Sequence, residues 1–273
     1  MLPLWRDRLH IALCPERVVM LRIQHGLRRH LGAKQIVSCD GETQGWEGAL
    51  AALAGSLEKP EWQNAEVTVI LSNHFVRYQM VPWSDQLSGD EERTALVRHC
   101  YSEVYGAAVA DWELRWSEGK FDAPWLASAV ERSLLDRLRE ILKLAGLQLH
   151  SVQPYLMAAF NRWRNEFRGT GQWFVLGEPG RVCILQIQGG GWHSVRSHRI
   201  EGAWKDEVPL ILEREILLAE SDGVPKEILL QGPEGLTSIG GVARRVRQLQ
   251  SRLLPDLSAV DEKQYAMVLG GVA

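Results

Sequence analysis

The sequence predicts a duplicated α/β fold with an inserted subdomain in its first half. Three observations lead there. Pro15, Arg17, Val18, Leu21 and Ile23 recur as Pro179, Arg181, Val182, Leu185 and Ile187, at a constant offset of 164 residues. Each copy is an apolar run, a turn at a proline and a second apolar run, which reads as a β-hairpin. Carried forward by the same offset, the helix-periodic stretch 46–57 falls on 210–221, inside a second helical stretch. The apolar run 66–71 falls on 230–235, close to another strand-like run at 227–230. Residues 75–131 have no counterpart in the second copy.

In the first half, strands are expected over 9–13, 18–24 and 35–38. A helix follows, because Trp46, Ala49, Leu50, Leu53 and Leu57 recur at helical spacing. The run 66–71 is a buried strand that stops at the polar break Ser72-Asn73-His74. Within the insertion, 75–81 alternates as a strand and ends at Pro82. Ser88 to Glu91 forms a capping box. It opens a helix whose buried face carries Leu96, Val97, Cys100, Tyr101 and Val104. Residues 112–117 and 125–130 form a strand pair. Ser133 caps a leucine-rich helix that ends at Gly146. A strand over 147–152 and a helix over 155–167 close the half, with the join at 168–171.

The second half repeats the order. Strands at 173–176 and 181–188 meet at Glu178-Pro179-Gly180, a type II turn sequence. Gly189, Gly190 and Gly191 turn into a third strand over 192–198. A helix over 205–219, a strand over 227–230, a helix over 239–254 and a short helix from about Asp261 complete it. Three strands, a helix, a strand and a helix, given twice, are the duplicated ribonuclease-H-like plan shared by actin and the sugar kinases. The halves are expected at 1–168, with the insertion at about 75–131, and at 169–273.

Composition excludes several function classes. At 273 residues, 45% hydrophobic and 24% charged, the chain has ample material for a core. A net charge of −3 gives no general drive toward nucleic acid or anionic lipid. Four scattered cysteines form no CxxC pair. Three sit in apolar runs and read as buried thiols rather than disulfides or a metal site. No secretory signal and no membrane-length apolar run is present, so the expectation is a soluble, cytoplasmic protein. Eleven tryptophans against five phenylalanines lie mostly near element ends, as core-edge packing or as a protein-binding surface.

The hairpin turns decide between chemistry and its loss. In actin-like ATPases each turn holds an Asp followed by Gly. Gly admits backbone N–H groups close to phosphate oxygens, and Asp holds Mg²⁺. Here the first turn, Cys14-Pro15-Glu16, has neither, and Pro15 removes a donor. The second, Gly177-Glu178-Pro179-Gly180, keeps glycines but reads as a Pro-Gly turn, with Glu178 a weak candidate for a cation. Gly232 in Gln231-Gly232-Pro233 stands where an adenine loop is expected, again beside a proline. No ATP or Mg²⁺ cofactor and no catalytic or metal residue is therefore expected. An active actin-like ATPase or small-molecule kinase holding Mg-ATP between the halves is the alternative. The arginines at 244, 245, 247 and 252 are expected on the solvated face of the 239–254 helix.

Residues 71–83, Leu-Ser-Asn-His-Phe-Val-Arg-Tyr-Gln-Met-Val-Pro-Trp, resemble a segment of the PilM/GspL-like family. These are actin-like cytoplasmic proteins of type IV pilus and type II secretion assembly platforms. The opening from Trp5 and the Glu178 to Arg181 turn are similar to the same group. The resemblance implies a non-catalytic scaffold linking a cytoplasmic assembly ATPase to an inner-membrane platform protein or its cytoplasmic tail. It implies a location peripheral to the inner membrane through partners, with no span of its own, and admits a homodimer. The candidate contact residues are Asn73, His74, Arg77, Tyr78 and Trp83. Their other reading is structural: turn residues at Asn73 and His74, and packing of the insertion by Tyr78 and Trp83.

Overall fold

In the computed structural model, each proline-centred hairpin of the sequence opens one five-stranded sheet. The structure describes residues 7–24, 30–39, 45–85, 89–119, 121–167, 171–219, 224–233, 245–250 and 259–270. The chain divides into two compact units: 1–76 with 130–162 and 251–273, and 77–129 with 163–250. The duplicated elements follow the two sequence halves, but two pieces change places. The insertion belongs to the second unit, and the C-terminal helix belongs to the first.

The first sheet runs β3 (His30–Ser38), β2 (Arg17–Gln24), β1 (Asp7–Leu13), β4 (Ala65–Leu71), β8 (Gln148–Pro154). β1 is antiparallel to β2 and parallel to β4, and β4 is parallel to β8. The apolar runs of β1 and β4 are almost continuously buried, as expected of strands covered on both faces. α1 (Glu47–Ser56) packs on β2, β3 and α3 (Arg132–Leu144), while α6 (Ala259–Gly270) lies along β1, β2 and β4. α4 (Tyr155–Trp163) follows β8, and Arg162 Nη1 donates to Leu269 O of α6 at 2.5 Å.

The second sheet repeats the order as β11 (Gly191–Arg199), β10 (Arg181–Gln188), β9 (Gln172–Glu178), β12 (Glu227–Gln231), β13 (Arg245–Gln248). The β9–β10 turn has Gly180 at φ +71°, which a type II turn requires at that position. α5 (Trp204–Leu218) covers this sheet, with Val208, Leu212 and Ile216 packed on Val182, Ile184 and Ile228. The insertion is a separate sheet, β5 (Arg77–Val81), β7 (Trp125–Glu131), β6 (Trp112–Ser117), packed under α2 (Asp90–Tyr105). Within this unit β5 lies beside β11.

Several expectations are corrected. Residues 245–248, read as helix, form β13, parallel to β12. Arg-Val-Arg alternates with period two, sending Val246 to the core and both arginines to carboxylates. Arg247 binds Glu166 at 2.7 Å and Glu227 at 3.2 Å, and Arg245 lies 3.7 Å from Glu227. These two arginines are therefore not on a helix face. The rest of that expected helix, with Arg244 and Arg252, lies largely outside the described residues. α3 begins at Arg132, so Ser133 is inside it and Glu131 takes the cap position without a side-chain cap bond. The Glu131 carboxylate instead accepts from Trp46 Nε1 at 2.9 Å. α2 is capped at Gly89, and Ser88 lies outside the described residues. Its buried stripe ends at Tyr101, because Val104 in the last turn is 62% exposed. Of the cysteines, Cys183 is buried and Cys14, Cys39 and Cys100 are half-buried.

Candidate functional site

In sheets of this kind, ligands bind beyond the carboxyl ends of the parallel strands. The two units hold different arrangements there. In the first, backbone donors are committed to the protein's own acceptors. Cys14 N–H donates to Arg17 O at 3.0 Å, closing the β1–β2 turn. Cys39 N–H donates to Glu16 O at 2.9 Å, and Ser72 N–H to Leu13 O at 2.9 Å. Pro15 has no N–H to offer. The Cys14 thiol packs 3.4 Å from the Met267 thioether of α6.

Asn73 lies two residues beyond the end of β4 and is fully buried. Its Oδ1 accepts the Leu156 N–H at 3.1 Å, so it caps the first turn of α4 from 83 residues away. His74 N–H donates to Ser72 Oγ at 3.2 Å, and the His74 ring is half-buried. The remaining expected contact residues belong to the second unit. Arg77, Tyr78 and Trp83 are half-buried. Arg77 O accepts from the Tyr101 hydroxyl at 2.9 Å, and burial holds that phenol far above its ordinary pKa. Trp83 meets Phe121 edge-on at 4.9 Å between ring centres, and Phe121 is 87% exposed.

In the second unit, a side chain covers the strand ends. The indole of Trp204, the first residue of α5, lies against Gly177 and Gly232. A Cβ added at Gly177 would stand 2.5 Å from Trp204 Cζ3. One added at Gly232 would stand 3.2 Å from Trp204 Cζ2 and 3.2 Å from Gly177 Cα. These glycines are thus matched to an indole ring in close contact. Glu178 is buried at the end of β9, opposite Arg181 across the hairpin. Its near neighbour Cys183 has a thiol pushed up to about 12, chiefly by burial. Gly232 O accepts from Gln248 Nε2 at 3.0 Å. The glycines that follow this loop in the sequence, Gly235, Gly240 and Gly241, lie outside the described residues.

A polar cluster that sequence reasoning missed lies between β11 and α5. Glu215 is 6% exposed, with His198 Nε2 3.1 Å, Arg214 3.8 Å and Arg196 4.0 Å from its carboxylate. Arg214 donates to His198 Nδ1 at 3.2 Å, which places the ring proton on Nε2, facing Glu215. Burial lowers the His198 pKa; Glu215 works against this, and Arg214 and Arg196 add to it. A β-bulge at Gln186/Ile187 breaks the alternation expected of β11, and His193 lines the same cleft as Ser194 and Arg196. The period-two spacing of Ser194, Arg196 and His198 was visible in the sequence, but nothing there marked their partner on α5. Trp204 was visible only as one tryptophan near an element end.

Two sheets of order 3-2-1-4-5 define the class: this chain has the actin-like ATPase fold. It is similar over 97% of its length to the cytoplasmic domain of EpsL from Vibrio cholerae, an inner-membrane component of the type II secretion system. That match covers 94% of the EpsL structure, at 13% identity and TM-score 0.63. It is similar to the PilM–PilN type IV pilus biogenesis complex at 15% identity and TM-score 0.68, covering 96% of each chain. It is also similar to a Bacteroides thetaiotaomicron protein with the actin-like ATPase fold, at 10% identity and TM-score 0.63, covering 98% of this chain and 99% of that one. No protein-family model matches the sequence, and no curated protein does. Among the described residues, no helix is long and apolar enough to cross a membrane, and no group of three metal-ligating side chains occurs.

Proposed function

We propose that this chain is a non-catalytic cytoplasmic scaffold of a type IV pilus or type II secretion-like assembly platform, with a degenerate nucleotide site. It links a cytoplasmic assembly ATPase to inner-membrane partners and sits at the inner membrane through them. The observation that carries the degenerate site is Trp204 against Gly177 and Gly232. Phosphate needs open space and free N–H groups above such glycines. Here an indole takes the space, and Pro15, Pro179 and Pro233 supply no N–H. The platform role draws support from the nearly full-length likeness to two assembly components.

In this reading His74, Arg77, Tyr78 and Trp83 contact the cytoplasmic tail of the platform protein. Asn73 holds the turn from which they depart. Two titrations test it. Mg-ATP added to the purified chain gives no saturable heat and no shift of the melting midpoint. A bound nucleotide at a hundred times its Kd would add about 2.7 kcal/mol, an unmistakable shift. Saturable heat with such a shift would make the chain a nucleotide-binding protein and overturn the degenerate site. A peptide from the cytoplasmic tail of such a platform protein binds, and Tyr78→Ala or Trp83→Ala weakens it. Equal binding by wild type and both variants removes those residues from the contact.

A further inference from the structure

The outer face of α5 carries leucines that nothing in its own unit covers. Leu210 is 64% exposed, Leu217 84% and Leu218 72%. Leu210 and Leu217 are seven residues apart and share one face, two turns and about 10.5 Å along the axis. Arg214 stands between them, its side chain 60% exposed. Scattered surface leucines are ordinary, but three on one helix face are a patch.

That patch runs into a cleft. Leu218 and Ala219 form one wall of a space of about 230 Å³ lined also by Gln186, Ser194, Arg196 and Glu215. Ser194 Oγ is buried there with no hydrogen-bond partner among the described residues. Gln186 is 7% exposed and Glu215 6%. The Arg196 side chain, 63% exposed, stands at the rim. Charge decides what fits. The single carboxylate of Glu215 already faces His198 and two arginines. Arg196 and Arg214 thus set two cations around that one anion, without any charge on His198. An entering carboxylate would meet Arg196 and the free Ser194 hydroxyl. An entering amine would meet Arg196 at the rim, and the carboxylate in the lining, Glu215, is already engaged by His198 and Arg214.

We propose that the outer face of α5 and the cleft beside β11 form a docking surface for a helical segment of a partner protein. That segment carries an apolar stripe to cover Leu210 and Leu217 and one acidic side chain to enter the cleft. None of these residues belongs to the nucleotide turns or to 73–83, so the proposal stands or falls apart from the reading above. A helix laid along α5 covers its leucines with residues at i and i+7, and its acidic residue reaches Arg196 past Leu218.

The test uses the full chain and a phage-displayed library of helical peptides. Enriched peptides are expected to share apolar residues at heptad spacing with Asp or Glu between them. Arg196→Glu and Leu217→Asp should each weaken the best peptide about tenfold or more. Leu217 is exposed, so the melting midpoint of Leu217→Asp should hold, and Leu210→Asp serves as a second variant on the same face; Arg196→Glu also sets a carboxylate beside Glu215, so its binding is measured well below its own melting midpoint. Changing the peptide's acidic residue to Lys should restore binding to Arg196→Glu and not to Leu217→Asp. No enrichment, basic peptides, or peptides that ignore all three variants would overturn the proposal. So would a concentration-dependent dimer in sedimentation that Leu217→Asp abolishes, because the occupant would then be a second copy of this chain.

Discussion

Gly177→Ala adds one methyl group where the Trp204 ring already lies. The new Cβ would stand 2.5 Å from Cζ3, against about 3.5–4.0 Å for relaxed carbon contact. Trp204 Cη2 lies nearer still, so the ring or the strand end must yield by about 1.5 Å. The ring has little freedom, because Trp204 opens α5 and Val208 and Leu212 lock that helix into the sheet core. No backbone strain contributes, since Gly177 is not among the glycines with positive φ. Overpacking of this kind costs about 2 kcal/mol. For a unit of this size that is about 6 °C in melting midpoint. Gly232→Ala meets the same ring at 3.2 Å and should cost about half as much. Trp204→Ala alone loses the packing of a half-buried indole, about 2 kcal/mol. If the contact is the cause, Gly177→Ala becomes nearly neutral in the Trp204→Ala background. Urea unfolding of the four proteins in the cycle should then give a coupling of about 2 kcal/mol. Costs that add within about 0.5 kcal/mol, or a Gly177→Ala protein as stable as wild type, would refute the account.

Two further outcomes follow from single side chains. Asn73→Ala removes the acceptor that caps α4 and leaves the buried Leu156 N–H without it. Stability should fall by about 2 kcal/mol in urea, and Asn73→Ser should recover part of it. His198 has its pKa lowered by burial, so between its folded value and the unfolded value of about 6.5 the unfolded chain binds more protons. Its contribution is complete above about pH 6.5 and is lost as pH falls through the folded value. Thermal melts from pH 7.5 to 5 should therefore decline less steeply for His198→Gln than for wild type, and equal slopes would remove His198 from the account.

The two hairpins were legible because strand alternation and a Pro-centred turn are local signals. The repeat at offset 164 then placed α5 and β12 as well. Reading β13 as a helix failed for an equally physical reason. Val242, Val246 and Leu249 fit a helical stripe, but 245–248 pairs with β12 and turns Arg245 and Arg247 toward Glu227. Ser133 looked like a cap because its chemistry suits one, whereas the chain enters α3 at Arg132 directly from β7. In the candidate site, the turn prolines could be read as lost donors from letters alone. The residue filling the space above the glycines could not.

The sequence by itself determined what short windows control: which runs are strands, where prolines and glycines turn the chain, and that one unit was copied. Those follow from backbone sterics and side-chain spacing over a few residues. Only the tertiary structure decided that Asn73 caps α4, that the insertion joins the second unit and α6 the first, and that Trp204 rests on Gly177 and Gly232. Each joins residues far apart in the chain. Which distant groups meet is set by dense packing and by the need to satisfy buried polar atoms across the whole fold.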